Sequence, residues 1–155
     1  MLPAVNRVDL RIGLSAGLLS ATATSGALVA IGSRAATVAR PFNAIAGHLL
    51  GVERGNALGF VPGITITGLA LHVVLLMLAG VAMAVITRRG IAPAWAVAVA
   101  LATLSALVSV GIARRGGSSL ARVLPIGDLI LFYMMVALSL VVGIRLAFFE
   151  RVRVE

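Results

Sequence analysis

The sequence contains no cysteine, no lysine and little charge of either sign. Without cysteine, structural disulfides, iron–sulfur clusters and zinc sites held by thiolates are excluded. Only 12% of the 155 residues are charged, whereas about 25% are charged in an ordinary soluble domain. Hydrophobic residues make up 61% of the chain, and its mean hydropathy is +1.13. These figures predict a membrane protein that has no separate soluble catalytic domain.

Four long apolar segments account for this composition. They cover residues 12–32, 64–87, 91–113 and 126–149, and each is long enough to cross a hydrocarbon core of about 30 Å as a helix. The first is too long for a cleavable signal peptide, so we interpret it as a retained helix. A turn of a few residues joins the second segment to the third, which predicts antiparallel neighbours. We expect one all-α membrane domain, residues 1–155, in which four transmembrane helices form an antiparallel bundle.

The basic residues are 13 arginines, and the net charge is +8. They lie at the ends of the apolar segments, where arginine meets anionic lipid headgroups, so we expect membrane lipids and not nucleic acid as partners. Four spans place both termini on one side, and the arginines are almost evenly divided between the two sides. Seven lie on the side of the termini (Arg7, Arg11, Arg88, Arg89, Arg145, Arg151 and Arg153) and six on the other (Arg34, Arg40, Arg54, Arg114, Arg115 and Arg122). This small excess favours cytoplasmic termini in a bacterial inner membrane.

The connection between the first two spans is too apolar for a solvated loop. Pro41 suits the first turn of a short helix, and Gly51 suits its C-terminal cap. Apolar side chains recur at helical spacing on one face of this segment: Phe42, Ile45, Ala46 and Leu49. The pattern predicts an interfacial helix over about 41–51 that lies along the membrane surface with this face down.

Small residues run along the first span. Gly13, Gly17, Ser20 and Thr24 follow one another at intervals of three or four residues. Such residues allow helix backbones to approach closely where lipid supplies no hydrophobic driving force. They predict a packing interface, either within the chain's own bundle or with another subunit.

His72 is the one ionisable side chain inside the second span, about 12 Å from its start. Thr65 and Gly68 share its helix face. An ionisable residue at this depth is a candidate for proton relay, cofactor ligation or substrate contact. The structural alternative is a neutral imidazole that is hydrogen-bonded to a neighbouring helix, for which the first span offers Thr22 and Thr24.

His48 is the second histidine, and it falls in the predicted interfacial helix. Two histidines can ligate haem only if they face each other across a pocket, and zinc needs a third ligand that is not evident. We expect no metal and no cofactor.

Asp128 and Arg145 lie near opposite ends of the fourth span, where a helix dipole and lipid headgroups stabilise them. Alternatively, either residue forms an intermolecular ion pair with a partner subunit.

Residues 41–72 resemble an uncharacterised family of small bacterial membrane proteins with four spans. The resemblance rests on Pro41, Asn43-Ala44, His48, Gly51 and Arg54, followed by Thr67-Gly68 and His72 entering a span. It implies a similar four-span fold and no activity that can be named. In the family pattern a second histidine and aromatic or acidic residues follow, whereas Val73 and the apolar run Leu75–Leu78 stand here.

The sequence lacks a carboxylate at the centre of any span, a nucleotide-binding glycine loop and the HExxH and GxSxG motifs. We therefore do not expect an enzyme. Three functions are compatible with the residues. The first is a non-catalytic accessory or scaffold subunit that packs against other membrane subunits through small-residue helices. The second is a small homo-oligomeric channel or transporter with His72 near the path, and the third is a haem or proton carrier that uses His72.

Overall fold

The structure, a computed structural model, describes residues 6–34 and 37–152, and all regular structure within these ranges is helical. Arg153, one of the arginines counted above, lies outside the described residues. Seven helices follow in chain order: α1 Arg7–Arg34, α2 Arg40–Leu50, α3 Val52–Gly55, α4 Pro62–Arg88, α5 Ala94–Arg114, α6 Leu120–Val123 and α7 Ile126–Val152. The prediction of an all-α fold is confirmed.

Within the described residues, four helices are long and apolar enough to cross a membrane: α1, α4, α5 and residues Ile126–Phe149 of α7. They match the four predicted spans, but α1 begins at Arg7 and not at residue 12. The extension is stabilised by Asn6 and Asp9, which cap the helix reciprocally. The amide of Asp9 donates to Oδ1 of Asn6 at 2.8 Å, and the amide of Asn6 donates to Oδ2 of Asp9 at 3.4 Å.

α1 is the central helix of the bundle. It packs against both α4 and α7, and α7 packs in turn against α5. These neighbours are antiparallel, because the start of α1 meets the end of α4 through Asp9 and Arg88, and the end of α1 meets the start of α7 through Arg34 and Asp128. α4 and α5 share few contacts although a short turn joins them, so the expected packing of the second span against the third is sparse.

α2 matches the short helix predicted over 41–51, and Gly51 ends it with a φ of 93° as expected. Its surroundings differ from the prediction. Phe42, Ile45 and Ala46 are buried, but Leu49 is 67% exposed, and the opposite side of the helix is buried as well. α2 is packed against protein on both sides over residues 41–47. It is enclosed by α4, α3 and α6 at the end of the bundle where α1 ends and α7 begins.

Two close contacts explain how α2 is enclosed. On one side, the backbone of α4 at Gly68 lies so near to α2 that a Cβ there would overlap the carbonyl group of Phe42. On the other side, the hydroxyl of Ser118, in the segment after α5, donates to the carbonyl oxygen of Ala44 at 2.9 Å. α2 therefore lies between α4 and the segment that follows α5.

Candidate functional site

His72 lies on the inner face of α4, and its side chain is buried between α1 and α7. Its Nε2 is 2.9 Å from Oγ1 of Thr24 in α1, and its ring centroid is 6.0 Å from that of Phe132 in α7. Thr65 and Gly68 are buried on the same face of α4, as their spacing predicts. Of the two threonines proposed from the sequence as partners, Thr24 makes the contact, whereas the hydroxyl of Thr22 donates to the carbonyl of Leu18 within α1.

The hydrogen bonds of Thr24 indicate whether Nε2 of His72 donates or accepts in this contact. Oγ1 of Thr24 lies 2.7 Å from the carbonyl oxygen of Ser20, and that oxygen is only an acceptor. A hydroxyl has one proton, so when Thr24 donates it to Ser20 the Thr24 oxygen must accept from His72. This geometry favours a proton on Nε2 of His72, which donates to Oγ1 of Thr24. The contact joins α4 to α1 and occupies Nε2 of His72.

Replacing Thr24 with valine should lower the free energy of unfolding by about 1–2 kcal/mol, because Nε2–H of His72 is left buried without an acceptor. Thr22→Val is the matched control in the same helix: its side chain is exposed, so we expect a change below about 0.5 kcal/mol. Thermal unfolding of the purified variants in detergent measures the difference. Equal effects of the two substitutions would show that the Thr24–His72 contact does not stabilise the bundle.

The two histidines do not form a common site. His48 is exposed near the C-terminal end of α2, whereas His72 is enclosed by α1, α4 and α7. A haem held by both imidazoles requires that they face one pocket. The arrangement therefore does not support the haem alternative that the sequence left open.

The small residues of α1 pack against helices of the same chain. A Cβ on Gly13 or Gly17 would overlap the backbone of α4 at Val81 or Met77. Ser20 faces the opposite neighbour, where its hydroxyl lies 2.8 Å from that of Ser139 in α7. Of the two interfaces that the sequence allowed for these residues, the structure shows the one within the bundle.

Asn43 in α2 is a buried polar residue to which the sequence analysis assigned no role. Its side chain is fully buried, and its Nδ2 donates to the carbonyl oxygens of Ala57 at 2.8 Å and Gly59 at 2.9 Å. Its Oδ1 accepts from the hydroxyl of Thr65 in α4 at 2.7 Å. The amide thereby joins α2, the loop after α3 and α4. In the sequence, the signal for this role is an asparagine among the apolar residues of 41–46.

Two ion pairs join charged residues at the helix ends within the chain. Arg34 donates to Asp128 at 2.9 Å, so the intermolecular ion pair considered for Asp128 is not needed. Arg88 pairs with Asp9, whose side chain is only 6% exposed, and also donates to Oδ1 of Asn6 at 3.1 Å. Arg145 is exposed near the far end of α7, in agreement with a side chain that extends to the headgroups.

Comparison of the chain with known protein families, with curated proteins and with solved structures found no match. The resemblance of residues 41–72 to a family of small bacterial membrane proteins therefore stays a prediction.

Proposed function

We propose that this integral membrane protein is a non-catalytic accessory or scaffold subunit that packs against a helix of another membrane protein through α5. Three pairs of interior polar side chains support a structural role, because each pair bonds across two helices. Thr24 with His72, Ser20 with Ser139 and Asn43 with Thr65 each join two helices of the chain. We also propose a bacterial inner membrane with cytoplasmic termini, for which the small excess of arginine on that side is the support.

The outer face of α5 is the observation that carries this proposal. α5 is the least buried of the four spanning helices, and it packs chiefly against α7, where the hydroxyl of Tyr133 donates to the carbonyl of Ser105 at 3.3 Å. One face of α5 presents mostly small residues at helical spacing: Ala96, Ala100, Thr103, Leu107 and Gly111. A Cβ on Gly111 would meet nothing within 4 Å.

Small residues on a membrane helix allow another helix to approach closely. The corresponding residues of α1 are buried against α4 and α7, whereas Ala100, Thr103, Leu107 and Gly111 of α5 are exposed on the surface of the bundle. A helix of a partner protein is the occupant that this face suits. The sequence predicts that small residues mediate packing against another subunit. The proposal retains this prediction but assigns the packing surface to α5 instead of α1.

The channel alternative is less well supported by the position of His72. Symmetry-related copies of a small bundle meet at their outer faces, and a shared path forms between them. His72 faces inward and is bonded to Thr24 beside Phe132. A path lined by His72 would require the contacts between α1, α4 and α7 to open.

Purification of the tagged protein from its host in mild detergent tests the proposal. We expect a larger membrane protein to accompany the chain, and we expect Ala100→Leu combined with Gly111→Leu to reduce its yield about tenfold, because both side chains would hold a partner helix away. Ala70→Leu with Ala82→Leu is the control pair on the exposed face of α4 and should change the yield less than about twofold. Purification of the chain only with copies of itself would contradict the proposal.

A further inference from the structure

A cavity of about 230 Å³ lies at the end of the bundle where α1 ends and α7 begins. It is bounded by the last residues of α1, the start of α2 and the connection from α6 to α7. Its polar lining consists of Arg34, Thr37, Arg40 and Asp128. Because the spanning helices α1 and α7 have their ends here, the cavity lies at the level where lipid headgroups meet the protein.

The charges around this cavity do not balance. Arg34 is paired with Asp128 at 2.9 Å, which neutralises both. Arg40 has a buried Nε for which no acceptor exists among the described residues. A guanidinium donor that is buried without a partner is costly, and phosphate oxygens suit its planar fork. Among residues 6–34 and 37–152, Arg40 has no ion-pair partner, so the cavity carries one positive charge that is not balanced, next to space for an anion.

An apolar groove of about 590 Å³ adjoins the cavity, and Thr37 lines both. The groove runs between α1, α2 and α4 and is lined by apolar side chains that include Val29, Phe42, Phe60 and Leu69. Leu69 lies seven residues after the start of α4, about 10 Å along the helix. The groove thus extends from the level of Arg40 toward the middle of the spanning helices, the direction that an acyl chain takes from its headgroup.

We propose that this cavity and groove bind one anionic glycerophospholipid, with its phosphodiester against Arg40 and an acyl chain along the groove. A basic pocket between helix ends recognises a charged headgroup, and the apolar extension distinguishes a lipid from a free phosphate ion. The site lies on α1, α2, α4 and the connection from α6 to the start of α7, and it is separate from the α5 face that carries the proposed function. Either proposal can therefore fail without the other.

Binding of dioleoyl phosphatidylglycerol to the delipidated protein in detergent, followed by native mass spectrometry, tests this site. We expect one tightly bound molecule, and we expect Arg40→Gln to lower the affinity about tenfold. Arg115→Gln removes the same charge from an exposed arginine at the same end of the bundle and should lower it less than about twofold. Arg40→Lys keeps the charge and gives an intermediate loss, which preserves the test if the glutamine variant does not fold.

Three results would overturn the assignment. An equal loss of affinity in the Arg40 and Arg115 variants would show attraction to the overall charge of the protein. Equal binding of dioleoyl phosphatidylcholine would show that no negative charge is recognised. Thermal stabilisation by inorganic phosphate alone, as large as that by phosphatidylglycerol, would reveal an anion site that does not involve the acyl groove.

Discussion

Replacing Gly68 with leucine should lower the free energy of unfolding by at least about 3 kcal/mol and largely prevent accumulation of the folded protein. A Cβ at this position would overlap the carbonyl oxygen of Phe42, which belongs to the backbone of α2 and cannot move aside as a side chain does. α2 would have to separate from α4. The yield of monodisperse protein in detergent and its unfolding temperature measure the effect.

Gly63→Leu is the matched control for this substitution. Gly63 is in the first turn of the same helix, is exposed, and has nothing within 4 Å of the position that a Cβ would take. Leucine is a better helix former than glycine by about 1 kcal/mol or less, so this variant should be as stable as the wild type or more stable. If Gly68→Leu folds as well as Gly63→Leu, the close approach of α2 and α4 is not required.

Replacing Asn43 with leucine should destabilise the protein by about 3–5 kcal/mol. The substitution removes the acceptor of the buried Thr65 hydroxyl, which costs about 1–3 kcal/mol, and the donors to the partly buried carbonyls of Ala57 and Gly59, each of which costs about 0.5–1.5 kcal/mol. The similar volume of leucine does not offset these losses. Equilibrium unfolding in mixed detergent micelles, or the unfolding temperature, gives the measurement.

Asn56 provides a control of the same residue type, because it is exposed at the end of α3. Asn56→Leu should change the stability by no more than about 0.5 kcal/mol. In a double-mutant cycle, Thr65→Val should cost less in the Asn43→Leu background than in the wild type, because its partner is already gone. Additive effects of the two substitutions would show that Asn43 and Thr65 do not act as one unit.

The spanning helices and the depth of His72 were predictable from sequence because both follow from the length and hydropathy of a segment. Length fixes how far a helix extends, and helical spacing fixes which residues share a face. Thr65, Gly68 and His72 are accordingly buried together on α4. The helix ends were less predictable, since the extension of α1 to Arg7 depends on the hydrogen bonds between Asn6 and Asp9.

The surroundings of α2 were not predictable, because they depend on contacts with distant segments. Apolar spacing identified Phe42, Ile45 and Ala46 correctly as inward-facing but also included Leu49, which is exposed. The burial of Asn43 depends on carbonyl groups 14 and 16 residues later, and the position of Ala44 depends on Ser118. Periodicity contains no information about such partners.

The spatial arrangement of the helices also could not be predicted from the sequence. A short turn between α4 and α5 shows that they are antiparallel, but it does not show that they pack along their length. The structure instead places α1 between α4 and α7, with close backbone contacts at Gly13 and Gly17. This arrangement uses the small residues of α1 internally and leaves those of α5 on the outer surface.

Photocrosslinking from α5 in living cells tests the proposed accessory role most directly. A photoreactive residue at Leu107 in α5 is compared with one at Leu78 in α4, because the two positions are almost equally exposed, at 63% and 61%. We predict a discrete adduct between position 107 and a different membrane protein, and no protein adduct from position 78. An adduct from position 107 that contains only copies of this chain, or no protein adduct there, would contradict the account.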